Sequence, residues 1–365
     1  MYLTRLKLNQ YRNYTSLDIA PAPGINVLTG DNGQGKTNAI EAVFLCALGR
    51  SHRTTKDAEL IMRGTAGAYA GVDIACGGIS RTVEIKLISG ERKKIFIDRN
   101  LAQKTGELMG VLNAVMFSPE DLSLVKQGPQ ERRRFMDMEL CQIQPSYFYK
   151  LQQYNAALKQ RNALLKDDMG ALRPGVLAVW DEQLSTLAEH IINARCGFLD
   201  ELSTIARDIH RDIAGGREEL FIHYRPNVDM DSPRGVRDAM LEALQQSAAE
   251  DIRRGFTSVG PHRDDIGMEL NGADVRTFGS QGQQRTAALS MKLSELALIT
   301  GRTGETPVLL LDDVFSELDD YRQAALVNAT SHCQTFLTCA SLAGIRKAGI
   351  KDMRIYECEN GTLKG

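Results

Sequence analysis

Apolar and polar residues alternate from Leu3 to Leu8, the period-two pattern of a strand with one buried face. A second strand is expected near residues 16–20. Pro21, Pro23 and Gly24 then turn the chain into Ile25-Asn26-Val27-Leu28, which predicts a short buried strand. Residues 38–48 are apolar at Ile40, Val43, Phe44, Ala47 and Leu48, which suits a helix. Between 67 and 117 the period returns to two. Tyr69, Val72 and Ile74, then Val83, Ile85 and Leu87, then Ile95 and Ile97 predict an antiparallel sheet. Gly77-Gly78 and Ser89-Gly90 mark its turns.

From Tyr147 the spacing becomes helical. Tyr147, Leu151, Tyr154, Leu158 and Leu165 recur at four-three-four spacing, with Arg161 in one expected apolar slot. The stretch 167–175, with Gly170 and Pro174-Gly175, breaks the helix. Leu177, Trp180, Leu184, Leu187, Ile191, Ala194 and Phe198 resume heptad spacing, and Leu202, Ile205 and Ile209 follow after a one-residue shift. Two such stripes predict an antiparallel helical hairpin. It is either a compact helical subdomain or a projecting arm, whose second helix would reach roughly 50 Å at 1.5 Å per residue. Gly215-Gly216 closes this insertion. Residues 220–224 predict a strand, Ser232-Pro233 a helix start, and 265–275 a hairpin turning at Asn271-Gly272. Ser280 reads as an N-cap before a helical face at Leu289, Leu293, Leu296 and Ala297, ended by Gly301.

Composition narrows the class. The chain has 365 residues, 25% charged and 43% hydrophobic, which suits a soluble globular protein of two or three domains. Its net charge of −2 means that any polyanion must be met by a local patch. The 7 cysteines are scattered without a C-x-x-C pair, as in a cytoplasmic protein with reduced thiols and no metal cluster. The first residues carry no signal-peptide pattern, and no uncharged apolar run is long enough to span a bilayer. No membrane partner is therefore expected.

The chemistry centres on Gly30-Asp31-Asn32-Gly33-Gln34-Gly35-Lys36-Thr37, a G-x-x-x-x-G-K-[ST] phosphate loop between the predicted strand and helix. Its glycines let successive N–H groups face one anion, and the helix N-terminus adds partial positive charge. Lys36 is expected to reach the β/γ-phosphates and the Thr37 hydroxyl to ligate Mg²⁺. Val308-Leu309-Leu310-Leu311-Asp312-Asp313 predicts a buried parallel strand ending in two carboxylates. Asp312 would hold Mg²⁺, directly or through water, and Asp313 would polarise the attacking water. Ser280-Gln281-Gly282-Gln283 opens a helix and makes a second anion site. Ser316-Glu317-Leu318-Asp319 follows as a compact loop. In this order the three elements resemble the signature motif, Walker B and D-loop of ABC-type ATPases.

Basic clusters leave alternatives open. Arg50 and Arg53 in Gly49-Arg50-Ser51-His52-Arg53-Thr54 stand either near phosphate or in a solvated loop. Arg81, Lys86, Arg92, Lys93, Lys94, Arg99 and Lys104, set against Glu84, Glu91 and Asp98, form either a phosphate-backbone patch or a charged solvated face. Arg132-Arg133-Arg134 cannot all point into a core. They must meet solvent, carboxylates or phosphate.

The phosphate loop, Tyr11-Arg12-Asn13-Tyr14 and Gly49 to Thr54 together resemble the RecF family of bacterial recombination mediators, related to SMC and Rad50 heads. Pro119-Glu120-Asp121 with Arg132 to Asp137, Gly260-Pro261-His262-Arg263-Asp264-Asp265, Ser280 to Arg285 and Leu310 to Asp319 extend the resemblance almost end to end. It implies an α/β fold: an ABC-type P-loop ATPase with an antiparallel β subdomain and an inserted α-helical hairpin arm. The boundaries expected are 1–128 for the N-terminal lobe, 129–214 for the arm and 215–365 for the C-terminal lobe. It further implies ATP-dependent dimerisation, binding to gapped or single-strand/double-strand junction DNA, and slow DNA-stimulated ATP hydrolysis. RecO and RecR would be partners in loading recombinase during repair and replication restart. In the dimer, Ser280 with Gln281 and Gly282 would contact phosphate held by Lys36 of a second copy.

Two departures from the general ABC pattern stand out. Asp313 occupies the position where transporters carry Glu. No switch histidine is evident, because Thr335-Phe336-Leu337-Thr338 ends in Cys339-Ala340-Ser341, with His332 before it. Ser118-Pro119-Glu120 falls where a Q-loop is expected. The rival readings are an ABC transporter subunit, opposed by the hairpin insertion and the strand-rich basic segment, and an adaptor that uses ATP as dimer glue.

Overall fold

The computed structural model describes residues 1–167, 175–230, 232–315 and 318–365. A six-stranded sheet runs in the order Thr362–Lys364, Met353–Glu359, Ile25–Thr29, Thr335–Cys339, Val308–Asp312 and Ala114–Phe117. All neighbours are parallel except the terminal pair. Every residue of Val308–Asp312 and Thr335–Cys339 is buried, as central parallel strands covered on both faces require. The helix Lys36–Leu48 is buried nearly all round because it lies between two sheets. It touches Gly67–Cys76 on one side and the parallel strands on the other.

That second sheet is antiparallel, in the order Tyr14–Ile19, Tyr2–Tyr11, Gly67–Cys76, Ile79–Ile88, Lys94–Ile97 and Asn100–Leu101. Its hairpin turns at Gly77 and Gly78, both with positive φ, as a two-residue turn matched to strand twist needs. Leu3, Leu6 and Leu8 face inward; the alternation holds from Leu6 to Leu8, and a register irregularity between Leu3 and Arg5 brings Leu3 to the same face.

The helical hairpin is Pro145–Leu165 and Val176–Ile213. Residues 168–174, most of the expected break, lie outside the described residues. A third helix, Val236–Arg254, packs along the second, together with a small sheet of Leu220–Arg225, Asp265–Leu270 and Ala273–Asp274. The compact reading therefore describes this region. Arg161, the polar residue in an apolar slot, is fully buried at the hairpin end, bound to Asp181 and Asp251 at 2.7 Å each. One guanidinium thus ties three helices. The third helix begins at Val236 after Gly235, a turn beyond Ser232-Pro233. The helix Gln281–Thr303 runs through Gly301 and ends at Gly304, whose φ of 72° fits a left-handed cap.

The arginine run is structural. Arg132 is buried and donates to both Asp265 oxygens at 2.6 and 2.9 Å. Arg133 donates to the Asp264 carbonyl at 2.7 Å and Arg134 to the His52 carbonyl at 3.4 Å. Buried Arg195 donates to Asp137 at 2.8 Å and to the Pro261 carbonyl at 2.6 Å. The Arg132–Asp137 and Gly260–Asp265 segments therefore lock one another and the hairpin into a single polar junction.

Candidate nucleotide site

Gly30, Gly33 and Gly35 have φ of 146°, 82° and 116°, values that favour glycine strongly. At Gly35 a Cβ would also meet the Asn13 amide at 2.6 Å. Lys36 opens the helix, and its ammonium folds back to donate to the carbonyls of Gly30 and Asp31 at 2.5 and 2.8 Å. The charge is thus held inside the loop.

The loop is braced from outside. Asn13 donates to the Gln34 carbonyl at 2.8 Å, and Tyr14 OH donates to the Gly35 carbonyl at 3.0 Å. The C-terminal hairpin adds the backbone N–H of Asn360 to Gln34 Oε1 at 2.6 Å and that of Gly361 to the Gln34 carbonyl at 3.1 Å. Arg12 grips buried Glu41 with two bonds at 2.8 and 2.7 Å, and Ser51 adds a third at 2.5 Å. Burial alone would push the Glu41 carboxyl up, but these donors hold it below the usual range. Arg53 donates to Asn38 at 3.1 Å, which brings it beside the first helical turn. Arg50 makes no hydrogen bond to this network among the described residues.

Parallel strands bring their C-terminal ends to one edge, and there Lys36, Thr37, Asp312 and Asp313 meet. Thr37 Oγ1 donates to Asp312 Oδ1 at 2.8 Å. Thr338 Oγ1 donates to the same oxygen at 2.7 Å, and the Asp313 N–H donates to Thr338 Oγ1 at 2.9 Å. Asp313 is exposed, with φ of 50°. A hydroxyl and a carboxylate oxygen this close form a hard-oxygen pair suited to Mg²⁺. Nothing in the sequence marks Thr338; only the register pairing Asp312 with it reveals the contact.

The signature residues stand elsewhere. Ser280 caps its helix by accepting from the Gln283 N–H at 3.3 Å, while Gln283 Oε1 accepts from the Ser280 N–H at 2.8 Å. Arg322 donates to the Gly282 carbonyl at 2.8 Å, and Gln283 Nε2 to Glu218 at 2.9 Å. Ser280 and Gln281 are exposed and flanked by Phe278 and Tyr321, 74% and 82% exposed. Among the described residues no hydrogen bond joins Ser280, Gln281, Gly282 or Gln283 to the phosphate loop. Of the expected D-loop, Ser316 and Glu317 lie outside the described residues, and Asp319 caps the helix Asp320–Thr330. Of the expected Q-loop, the Glu120 side chain lies outside them. Ser118 and Asp121 line a cavity of about 350 Å³ with Phe44, His52, Arg53 and Lys292.

The basic β patch is neutralised only in part. Arg81, Lys93 and Lys94 pair with Asp98, Asp57 and Glu91 at 2.9, 3.0 and 3.4 Å. Arg92 and Arg99 are exposed, with no ion pair among the described residues.

A phosphate loop and an acidic strand end on a parallel sheet, with an antiparallel sheet beside them and a capped helix opening on Ser-x-Gly-Gln, define an ABC-type ATPase head. A family model described as the RecF/RecN/SMC N terminal domain matches residues 2–364. The DNA replication and repair protein RecF of Clostridium acetobutylicum is 41% identical over 363 residues, covering 100% of this chain and 99% of that one. RecF of Acetivibrio thermocellus is 45% identical over 343 residues, 93% of each chain. Among solved structures, the recombination mediator protein RecF with ATP, from the RecFOR pathway, superposes with a TM-score of 0.92 at 33% identity, covering 100% of this chain and 97% of that one. An SMC head bound to the C-winged helix domain of ScpA gives 0.57 at 14% identity, covering 100% and 96%, a likeness of fold alone. The chain belongs to the RecF family.

Proposed function

We propose that this chain binds ATP with Mg²⁺, closes on ATP with a second copy of itself, and hydrolyses ATP slowly when bound to DNA. The observation that carries the reading is the 2.8 Å bond from Thr37 to Asp312, which unites phosphate loop and acidic strand end in one site. Lys36 exchanges its loop carbonyls for phosphate oxygens, and the loop N–H groups orient the polyphosphate. Thr37 and Asp312 would hold the metal, which when bound would neutralise phosphate charge. Asp313, exposed at the strand end, positions the attacking water and accepts its proton.

Ser280 and the backbone at Gln281-Gly282 face solvent in one copy, so their phosphate is that bound by a second copy. ADP lacks the third phosphate and so lacks the differential binding that favours the closed pair. DNA contact is through backbone phosphates, at gaps or single-strand/double-strand junctions, in recombinational repair and replication restart with RecO and RecR. The names of the relatives support the DNA repair role and the pathway; the gaps, junctions and recombinase loading follow from the family resemblance, and affinity should fall steeply with salt. Among the described residues no helix is long and apolar enough to cross a membrane, and a cytoplasmic location belongs to the same proposal. The division into 1–128, 129–214 and 215–365 is likewise proposed, and limited proteolysis checks it.

The test is ATP turnover with and without a gapped duplex. DNA-stimulated, Mg²⁺-dependent hydrolysis that Lys36→Met abolishes is the expected result; normal hydrolysis by Lys36→Met overturns the assignment.

A further inference from the structure

We infer that Thr338 is a positioning residue that couples the two carboxylates of the nucleotide site. The inference rests on the ATP reading above. Thr338 is 1% exposed, so its hydroxyl has to find its partners within the protein. A hydroxyl has one proton to give. The Asp313 N–H can only donate, so at 2.9 Å the Thr338 oxygen accepts from it. The proton of Thr338 therefore goes to Asp312 Oδ1, 2.7 Å away. The direction of both bonds is fixed.

Each bond has a separate consequence. Asp312 Oδ1 takes hydroxyl protons from two sides, Thr37 and Thr338, and this fixes the rotation of its carboxylate. The second bond holds the amide of Asp313, whose φ of 50° is unfavourable for a residue with a side chain. That conformation determines where the Asp313 carboxylate leaves the strand. One buried hydroxyl thus sets the metal-holding carboxylate and the water-positioning carboxylate together. A β-branched residue suits the task, because its χ1 is restricted on a strand and the hydroxyl cannot swing away. The strand that lacks a histidine at its end contributes this hydroxyl instead.

Thr338→Val keeps the shape and removes both bonds. The expected result is a fall in kcat of about 10- to 100-fold and a matching rise in the Mg²⁺ concentration for half-maximal turnover. Nucleotide affinity without Mg²⁺ should be unchanged. Thr338→Ser should restore both quantities to within a few-fold of wild type. A readout independent of turnover is the Mg²⁺-dependent tightening of a slowly hydrolysed ATP analogue, which Val should weaken and Ser retain. Should Val melt early, Ser against Ala makes the same comparison, and equal Mg²⁺ responses of those two overturn the inference. Thr338→Val with wild-type turnover and Mg²⁺ dependence also overturns it. Wild-type protein that needs no Mg²⁺ or binds no ATP would instead overturn the functional reading itself.

Discussion

The phosphate-loop edge and the signature helix are the two halves of the proposed nucleotide site, yet they are finished to different degrees. At the loop, the cation and the two hydroxyls have partners close by in the same chain: Lys36 on loop carbonyls, Thr37 on Asp312, Thr338 on both acidic positions. At the signature, the helix is capped and its backbone held by Arg322, but Ser280 faces solvent between two exposed aromatics. On the proposed function, the difference teaches that one copy would carry a complete binding half and an open closing half.

Breaking the complete half should have the largest effect. Lys36→Met should abolish ATP turnover and ATP-dependent DNA binding, read by phosphate release and by filter binding. Asp312→Asn should lose Mg²⁺-dependent turnover, whereas Asp313→Asn should keep ATP bound in a long-lived complex, seen by nucleotide retention on a sizing column. Wild-type turnover by Asp313→Asn would remove it from the water-positioning role. Breaking the open half should be selective. Ser280→Arg should leave ATP binding by the single copy intact while preventing dimerisation and hydrolysis, read by sedimentation with ATP and by turnover.

A smaller effect concerns the polar junction at Gly260–Asp265. His262 Nε2 donates to the Thr257 carbonyl at 3.0 Å, and Nδ1 lies 2.7 Å from Tyr154 OH, which can donate to it when the ring is neutral. Burial, with the cations of Arg263, Arg133 and Arg195, pushes its pKa from 6.5 down to about 4. The unfolded chain therefore binds a proton between these values that the folded chain refuses. The His262 contribution to stability should be full above pH 6.5 and should fall by about 1.4 kcal/mol per unit as pH drops towards 4. Melting curves across this range check it, and His262→Gln should flatten the slope; an unchanged slope would remove His262 as its source.

The loop half was legible because its chemistry is local. Gly30 to Thr37 are consecutive, and their conformation follows from glycine and the helix start. The inward-facing leucines of the first strand and the turn at Gly77-Gly78 were legible for the same reason, though not the register irregularity between Leu3 and Arg5. What sequence could not give depends on distant partners. Arg132 meets Asp265 across 133 positions, so the arginine run offered three destinations and took protein acceptors. Arg161 looked like a gap in an apolar stripe and is the hub of three helices, a placement that needs Asp251 from a helix 90 residues on. Thr338 became visible only once the strands were set side by side. Gly301 misplaced the end of its helix because glycine costs only about 1 kcal/mol inside a long, buried helix, which packing overrides.

The central claim, that the binding half of one copy works against the closing half of another, is tested most directly by mixing two inactive proteins. Ser280→Arg supplies an intact Lys36, and Lys36→Met supplies an intact Ser280. A mixed pair gathers both defects into one site and leaves the other whole. Measured turnover of ATP by the mixture should rise well above that of either protein alone. A mixture as inactive as its components, with mixed pairs shown to form, would contradict the account.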